Sequence, residues 1–310
     1  MIFALGAFDG FHIGHQKLLE KARLRAEEKK IKWGVLTFDG NPQQFLNKSK
    51  LPQLFSDEEK DLLSQYFEIP TVVKIPFTRT IANLSPDDFL DFLSIKEKIE
   101  GLVIGENFRF GKDRTGGSIE LNRLCKERNW SLDVVKNVRI ENKIVSSTAI
   151  REYVLLGLLD EAKTMLGIPF FLSGAVKKGD SRGKSLGFPT ANIKINPNKA
   201  YPTRGSYAAL TFIKNKWHPV ALNLGYNTTF VDNQILSCEA HILDFNENLY
   251  GKNIIIFLIN KFRNEIKFDS KENFKKQLEE DIKYVRSVFT SYFKKNLTIF
   301  QKFTHNCFDM

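Results

Sequence analysis

Along the first half of the chain, short apolar runs alternate with segments in which apolar residues recur every three or four positions. "IFAL", "WGVLTF", "TVVKIPF", "GLVIG" and "LDVVKNV" read as buried strands. Between them lie helices with start signals. One begins near His15 and runs through "LLEKARLRAEEKK". In "SDEEKDLLSQYF", Ser56 and Glu59 have capping-box spacing. In "SPDDFLDFL", Ser85 is an N-cap followed by Pro86 at the first helical position. Alternating strand and helix predicts a parallel sheet flanked by helices. "STAIREYVLLG" and "LDEAKTMLG" predict two closing helices, ended by Gly157 and Gly167.

After Gly167 the texture changes. "FFLSGAVKKG", "TANIKI", "SYAALTFI", "KWHPVALNLG", "ILSCEAHIL" and "NIIIFLINKF" are strand-like, closely spaced and separated by turn residues. Such spacing without intervening helices predicts an antiparallel barrel or sandwich. A last helix fits "SKENFKKQLEEDIKYVRSVF". A domain boundary is expected near residues 167–171, and a chain of 310 residues suits two domains.

Composition narrows the class without choosing a substrate. A net charge of +10 fits an anionic partner, or simply a solvated basic surface. Cys125, Cys238 and Cys307 are far apart and lack metal-ligand spacing, which suggests reduced thiols in a cytoplasmic protein. The opening "MIFALGAFDG" lacks a signal peptide's basic region, and "NIIIFLIN" is too short to span a bilayer. No membrane association is expected.

The densest chemistry lies in "GAFDGFHIGHQK", residues 6–17. His12 and His15 stand three apart between glycines. The pair can bind a metal, act as acid and base, contact phosphate, or pack. A loop leading from a strand into a helix presents backbone N–H groups and the positive helix end, which favours phosphate. No third metal-ligand motif lies nearby. Two later segments add to this. "GENFRFGKDRTGG" (105–117) holds Phe108 and Phe110, which either stack on a ring or join the core, and Arg109, Lys112 and Arg114, which suit phosphate or solvent. "SSTAIR" (146–151) sets hydroxyls at a helix start with Arg151 one turn in, as a phosphate clamp or as a plain N-cap.

Together these segments resemble the nucleotidyltransferases that carry an H-x-G-H signature, and most closely the bacterial bifunctional riboflavin kinase/FAD synthetase family. The pattern G-x-F-D-G-x-H-x-G-H is complete from Gly6 to His15. G-x-[ND]-F-x-F-G-x-x-R-x-G is matched from Gly105 to Gly116, and S-S-T-x-I-R from Ser146 to Arg151. In the second half, "GAVKKGDSRGKSLGFPTANI", "YPTRGSYA", "ALNLGYNTTF" and "EAHILDFNENLYGK" follow in the order of the kinase. The resemblance covers roughly residues 2–285. An RNA-acting synthetase, which also carries H-x-G-H, would show a K-M-S-K-S-like loop, and this sequence has none.

The resemblance implies an α/β fold in two parts. Residues 1–168 form a Rossmann-like FMN adenylyltransferase (FAD synthetase) domain with a parallel sheet, and residues 169–310 a riboflavin kinase-like antiparallel β-barrel with a terminal helix. It implies that riboflavin and ATP give FMN and ADP, and that FMN and ATP give FAD and pyrophosphate, with magnesium required and no nucleic acid involved. His12, His15, Arg151 and Glu239 are the implied catalytic residues. Gly6, Phe8, Asp9, Gly10, Asn41, Asn107, Ser147, Thr148, Gly179, Gly183, Lys184 and Asn192 are implied for ATP. Phe108, Phe110 and Asn223 are implied for flavin, and Thr190 and Asn192 for the metal. Glu239 also admits a plain reading, as an acid facing solvent from an alternating strand. The chain departs from the family where Asn41 replaces a usual histidine, Lys184 an arginine and Thr228 a proline, and where "GSYA" stands for the usual G-V-Y-A. The final "SYFKKNLTIFQKFTHNCFDM" extends past the resemblance.

Overall fold

The computed structural model describes residues 1–39, 51–178, 188–227, 235–266 and 268–308. Asn41, Gly179, Gly183, Lys184 and Thr228 lie outside the described residues. The chain divides into two units, Met1–Ala149 and Ile150–Met310.

The first unit runs β1 (Ile2–Leu5), α1 (Ile13–Lys29), β2 (Trp33–Asp39), α2 (Asp57–Tyr66), β3 (Val72–Pro76), α3 (Arg79–Ala82), α4 (Pro86–Lys96), β4 (Gly101–Gly105), α5 (Ser118–Glu127) and β5 (Ser131–Val135). A small hairpin of β6 (Arg139–Ile140) and β7 (Lys143–Ile144) follows. The parallel sheet has the order β3-β2-β1-β4-β5. Strand β1 is central and all its residues are buried, as its unbroken apolar run requires when helices cover both faces. The chain leaves β1 toward one edge and returns on the other side at β4. The sheet therefore reverses direction between β1 and β4, where the loops after both strands open a crevice at their carboxyl ends.

The capping box of Ser56 and Glu59 is formed at the start of α2. Ser85 caps α4 and Pro86 opens it. Helix α5 and the hairpin have no counterpart in the sequence reading. Leu121, Leu124 and Cys125 of α5 are buried at helical spacing, but they sit within a mostly polar stretch that hides the period.

Helix α6 (Ser147–Leu156) runs through the point of division. In the second unit, α7 (Leu159–Leu166) ends at Gly167, which adopts the left-handed conformation. Then come β8 (Phe171–Lys177), β9 (Ala191–Ile193), β10 (Gly205–Ile213), β11 (Lys216–Asn227), β12 (Ile235–Ile242) and β13 (Asn253–Arg263). They close into a barrel in the order β10-β11-β12-β9-β8-β13, which decides between the barrel and the sandwich. The terminal helix α8 (Lys271–Lys295) outruns its expected end near Phe289 and is followed by α9 (Leu297–Phe303) and a last turn, Thr304–Phe308.

Helix α1 is pinned to the edge strand β5. Arg25 donates to both carboxylate oxygens of Asp133 at 2.8 and 2.9 Å, and Lys21 lies 3.4 Å away. The Asp133 side chain is only 13% exposed. Replacing it with asparagine is expected to cost about 1–2 kcal/mol in urea unfolding, with a smaller loss at high salt.

Candidate active sites

The first site grows from the loop between β1 and α1. This loop is held in a conformation that ordinary residues avoid. Phe8 and Phe11 have φ of +47° and +45°, and Gly10 has +102°. What secures it is burial and hydrogen bonding. Phe8 stacks on Phe11 at 5.4 Å and Phe11 on Phe67 at 5.9 Å. The Asp9 carboxylate, itself buried, accepts from the Leu54 N–H at 3.0 Å. The Ser147 hydroxyl donates to the Asp9 carbonyl at 2.7 Å. The first and third segments singled out in the sequence therefore meet at Asp9.

His12 is the N-cap of α1, and its Nδ1 accepts from the His15 backbone N–H at 3.2 Å. A neutral imidazole that accepts at Nδ1 carries its proton on Nε2. The two rings stack with centroids 3.7 Å apart and planes 14° from parallel. Gly14 permits this arrangement, because a Cβ there would stand 3.1 Å from the His12 ring. Phe8 lies against His15 at 5.0 Å, and the His15 Nδ1 is buried without a partner. Among the described residues, no group of three His, Cys, Asp or Glu side chains could hold a metal ion.

Burial lowers His12 from 6.5 to about 4. Burial, with the neighbouring His12 ring adding to it, holds His15 well below 6.5. Both imidazoles are therefore neutral near pH 7, and they offer phosphate a hydrogen-bond donor rather than a full charge. The positive potential comes instead from the helix start. Among described helices of eight or more residues, α1 and α6 alone have no acidic side chain in their first turn. The other helices complement their own dipoles with carboxylates. These two are the helices that open the "HIGH" and "SSTAIR" segments.

On α6, Ser146 caps the helix by accepting from the Ala149 N–H at 3.2 Å, so for this serine the plain N-cap reading is correct. Thr148 is exposed and Arg151 is buried. Arg151 follows Ser147 by four residues and shares its helix face.

The loop after β4 walls a cleft of about 580 Å³. Phe38, Phe77 and Phe89 form its apolar side, Asn107, Arg109 and Arg114 its polar side, and Ala7 of the first loop also lines it. Phe108 stacks on Phe110 at 5.7 Å. Phe110 packs into the core with Phe89, and Phe108 is partly exposed and packs against the same core. Gly6 and Phe8 lie beneath the loop, and the Phe8 side chain supports His15 from the core.

In the second unit the site is a polar row across the barrel. Asn192 on β9 stands opposite Glu239 on β12, Glu239 opposite Asn223 on β11, Asn223 opposite Ser206 on β10, and Ser206 opposite Arg263 on β13. Residues directly opposite one another point to the same face. The flanking Cys238 and Ala240 are buried on the other face. Glu239 does face outward, but there it lines a cleft of about 820 Å³ together with Thr190, Asn223 and Ser206. Gly225 has a Glu265 carboxylate oxygen 2.2 Å from where a Cβ would be, so only glycine admits this approach. A second cleft of about 300 Å³, with Asn246, Asn248 and Tyr250 on its wall, also includes Thr190. The two clefts therefore meet at Thr190.

Ser206, His241, Arg263 and Asp281 line the larger cleft and were missed in the sequence. Arg263 donates to Asp281 at 2.9 and 2.6 Å, and Gln277 adds a bond at 3.1 Å. The one available signal was an arginine ending an apolar strand. Its membership in the row follows from strand register, which the sequence does not contain.

Residues 1–149 match the family model for FAD synthetase, and residues 166–289 match that for riboflavin kinase. The bifunctional riboflavin kinase/FMN adenylyltransferase of Listeria monocytogenes is 35% identical over 290 residues, 93% of this chain and 92% of that protein. Its counterpart in Bacillus subtilis is 32% identical, covering 90% of each chain. That of Escherichia coli is 30% identical, covering 93% of this chain and 92% of that protein. A crystal structure of a macrolide-efflux protein from Streptococcus pneumoniae superposes with a TM-score of 0.83 at 27% identity, covering 92% and 93% of the two chains. Among the described residues of this chain, no helix is long and apolar enough to cross a membrane.

The histidine pair ties stability to pH. Unfolding exposes rings that bind protons near 6.5, while folded His12 does so only near 4. Between these values the unfolded chain holds more protons, so stability falls as pH drops through that window. Imidazole NMR signals of both residues are expected to remain neutral at about pH 5.5. Thermal unfolding should shift down between about pH 7 and pH 5, and less so in a His12→Asn/His15→Asn variant.

Proposed function

Because this chain belongs to the bifunctional riboflavin kinase/FMN adenylyltransferase family, and so makes FMN from riboflavin and FAD from FMN, we propose how its residues divide the two reactions. Residues 1–168 carry adenylyl transfer and residues 169–310 carry the kinase. The observation behind this reading is that motif residues far apart in sequence meet in each unit: Ser147 bonds the histidine loop at Asp9 in the first, and Asn192, Glu239 and Asn223 align in one row beside a cleft in the second.

In the kinase, the 5′-hydroxyl oxygen of riboflavin attacks the γ-phosphorus of ATP, the bond to the β-phosphate bridging oxygen breaks, and ADP leaves. Glu239 accepts the hydroxyl proton. Asn223, beside it in the row, orients the ribityl chain. The larger cleft takes the flavin and the smaller one the nucleotide, and Thr190 stands where the transferred phosphoryl group must pass. The Thr190 hydroxyl and the Asn192 amide oxygen are hard oxygen donors that would hold magnesium, leaving the Glu239 carboxylate as base. When bound, the cation neutralises triphosphate charge. Gly179, Gly183 and Lys184 complete the phosphate loop in this proposal.

In the adenylyltransferase, an FMN phosphate oxygen attacks the α-phosphorus of ATP and pyrophosphate leaves. FMN phosphate is already anionic, so no base is required. The task is to hold two anions in line. His12 donates from Nε2, the α1 start, which carries no acidic side chain, supplies positive potential, and His15 backs the His12 ring. Ser147, Thr148 and Arg151 hold the β- and γ-phosphates. Gly6, Asp9 and Gly10 shape the loop around the nucleotide, with Phe8 supporting it, and Asn107 contributes from the β4 loop; Asn41 is assigned to ATP by its place in the motif. Phe108 takes the flavin ring, with Phe110 behind it.

Purified protein incubated with riboflavin and Mg-ATP is expected to give FMN and then FAD on flavin chromatography. His12→Ala/His15→Ala should lower FAD formation from FMN by about 10²-fold or more while sparing FMN formation. Glu239→Gln should lower FMN formation by about 10²–10⁴-fold and leave adenylylation of supplied FMN intact. FAD formation at the parental rate in the histidine variant would refute the phosphate role.

A further inference from the structure

We infer that the last segment of the chain, Leu297–Phe308, is a positioning element of the kinase site. It anchors the far end of α8, whose first turns form a wall of the larger cleft. This rests on the reading of that cleft as the riboflavin site.

Helix α8 has 25 residues and so is about 37 Å long. Near its start, Phe274, Leu278 and Asp281 face the cleft. Yet among its described residues only Asp281 and Val285 are buried, and one of these is a carboxylate. The helix's seat on the barrel is shallow: Tyr284 meets Phe262 of β13 at 4.9 Å, and Arg263 pairs with the buried Asp281. Arg286 pairs with Asp244, but both side chains are about half exposed, at 51% and 55%, and such pairs contribute little.

The apolar anchor lies at the other end. Asn296 turns the chain back: its Nδ2 donates to the Tyr292 carbonyl at 2.8 Å and its Oδ1 accepts from Lys163 at 2.5 Å. The returning tail sets Phe300 against Phe293 of α8, with centroids 5.4 Å apart and planes 9° from parallel. Phe300 also meets Trp217 at 4.8 Å, and Phe303 meets Phe257 at 4.7 Å, so the barrel strands hold the tail and the tail holds α8. Phe300 and Phe303 are both fully buried. Trp217 Nε1 donates to the Thr304 hydroxyl at 3.2 Å. The kinase family model ends at residue 289, before Phe293, Asn296 and the tail.

Without the tail, Phe293 loses the nearly parallel Phe300 ring and keeps Phe289 at 5.6 Å and Trp217 at 5.9 Å, so the far end of α8 is held less firmly while Arg263 and Asp281 act as a pivot near its start. Phe274 and Leu278 would then have to be ordered when riboflavin binds. Glu239, Asn192 and Asn223 lie on barrel strands whose pairing does not involve the tail. The loss should therefore fall on KM and spare kcat.

The test is a full-length comparison with a chain ended after Asn296. Riboflavin KM is expected to rise about tenfold with kcat within about twofold, while adenylylation of supplied FMN is unchanged. Added peptide of residues 297–310 should lower KM again. If the shortened chain does not fold, Phe300→Leu keeps apolar volume while removing the ring stack, and should raise KM about threefold. A lowered melting temperature with unchanged KM, or an equal fall in kcat of both reactions, would overturn the inference. Asn223→Ala in the intact chain separates the two readings. A raised riboflavin KM there supports the cleft assignment, so an unmoved KM in the tail variants would then count against the tail alone. An unmoved KM in Asn223→Ala would remove the cleft assignment and the tail's role with it.

Discussion

The first N–H groups of a helix have no partner inside it and leave a positive end, and most of the described helices of eight or more residues set a carboxylate in that first turn. Helices α1 and α6 do not. Leaving two such starts without acids forgoes a little stability and creates places where phosphate is favoured over water. The sheet order sets the first beside the crevice between β1 and β4. The bond from Ser147 to Asp9 brings the second to the same loop.

The histidines suit this arrangement because they are neutral. A charged pair stacked at 3.7 Å would repel itself, and burial in an aromatic setting would oppose either charge. As neutral rings they stack closely. One caps the helix through Nδ1 and is left with a directed donor at Nε2. The cap thus uses one nitrogen of the ring and leaves the other available to a ligand.

The barrel solves a different problem. Its strands must bury one face and still present a row of polar groups on the other, and strand alternation does both at once. Cys238 and Ala240 fill the core while Glu239 between them faces the cleft. The first turns of helix α8 wall that outer face, and the aromatic tail packs against the far end of the helix.

Much of this was legible in the sequence, because it depends on local order. Apolar periodicity marked the alternating strands and helices, Ser56, Glu59, Ser85 and Pro86 marked helix starts, and the glycine-bracketed "HIGH" segment marked the loop from β1 into α1. Helix α5 escaped notice because its buried positions are few among polar ones. The choice of barrel over sandwich, the alignment of Asn192, Glu239, Asn223, Ser206 and Arg263, and the neutrality of the histidines came only with the tertiary structure. Register, closure and burial are relations between segments distant along the chain. The tail shows this most plainly. Its phenylalanines look like an unremarkable extension until Trp217 and Phe257, some 80 and 40 residues earlier, are seen to meet them, since what a ring packs against is decided by the fold and not by its neighbours in sequence.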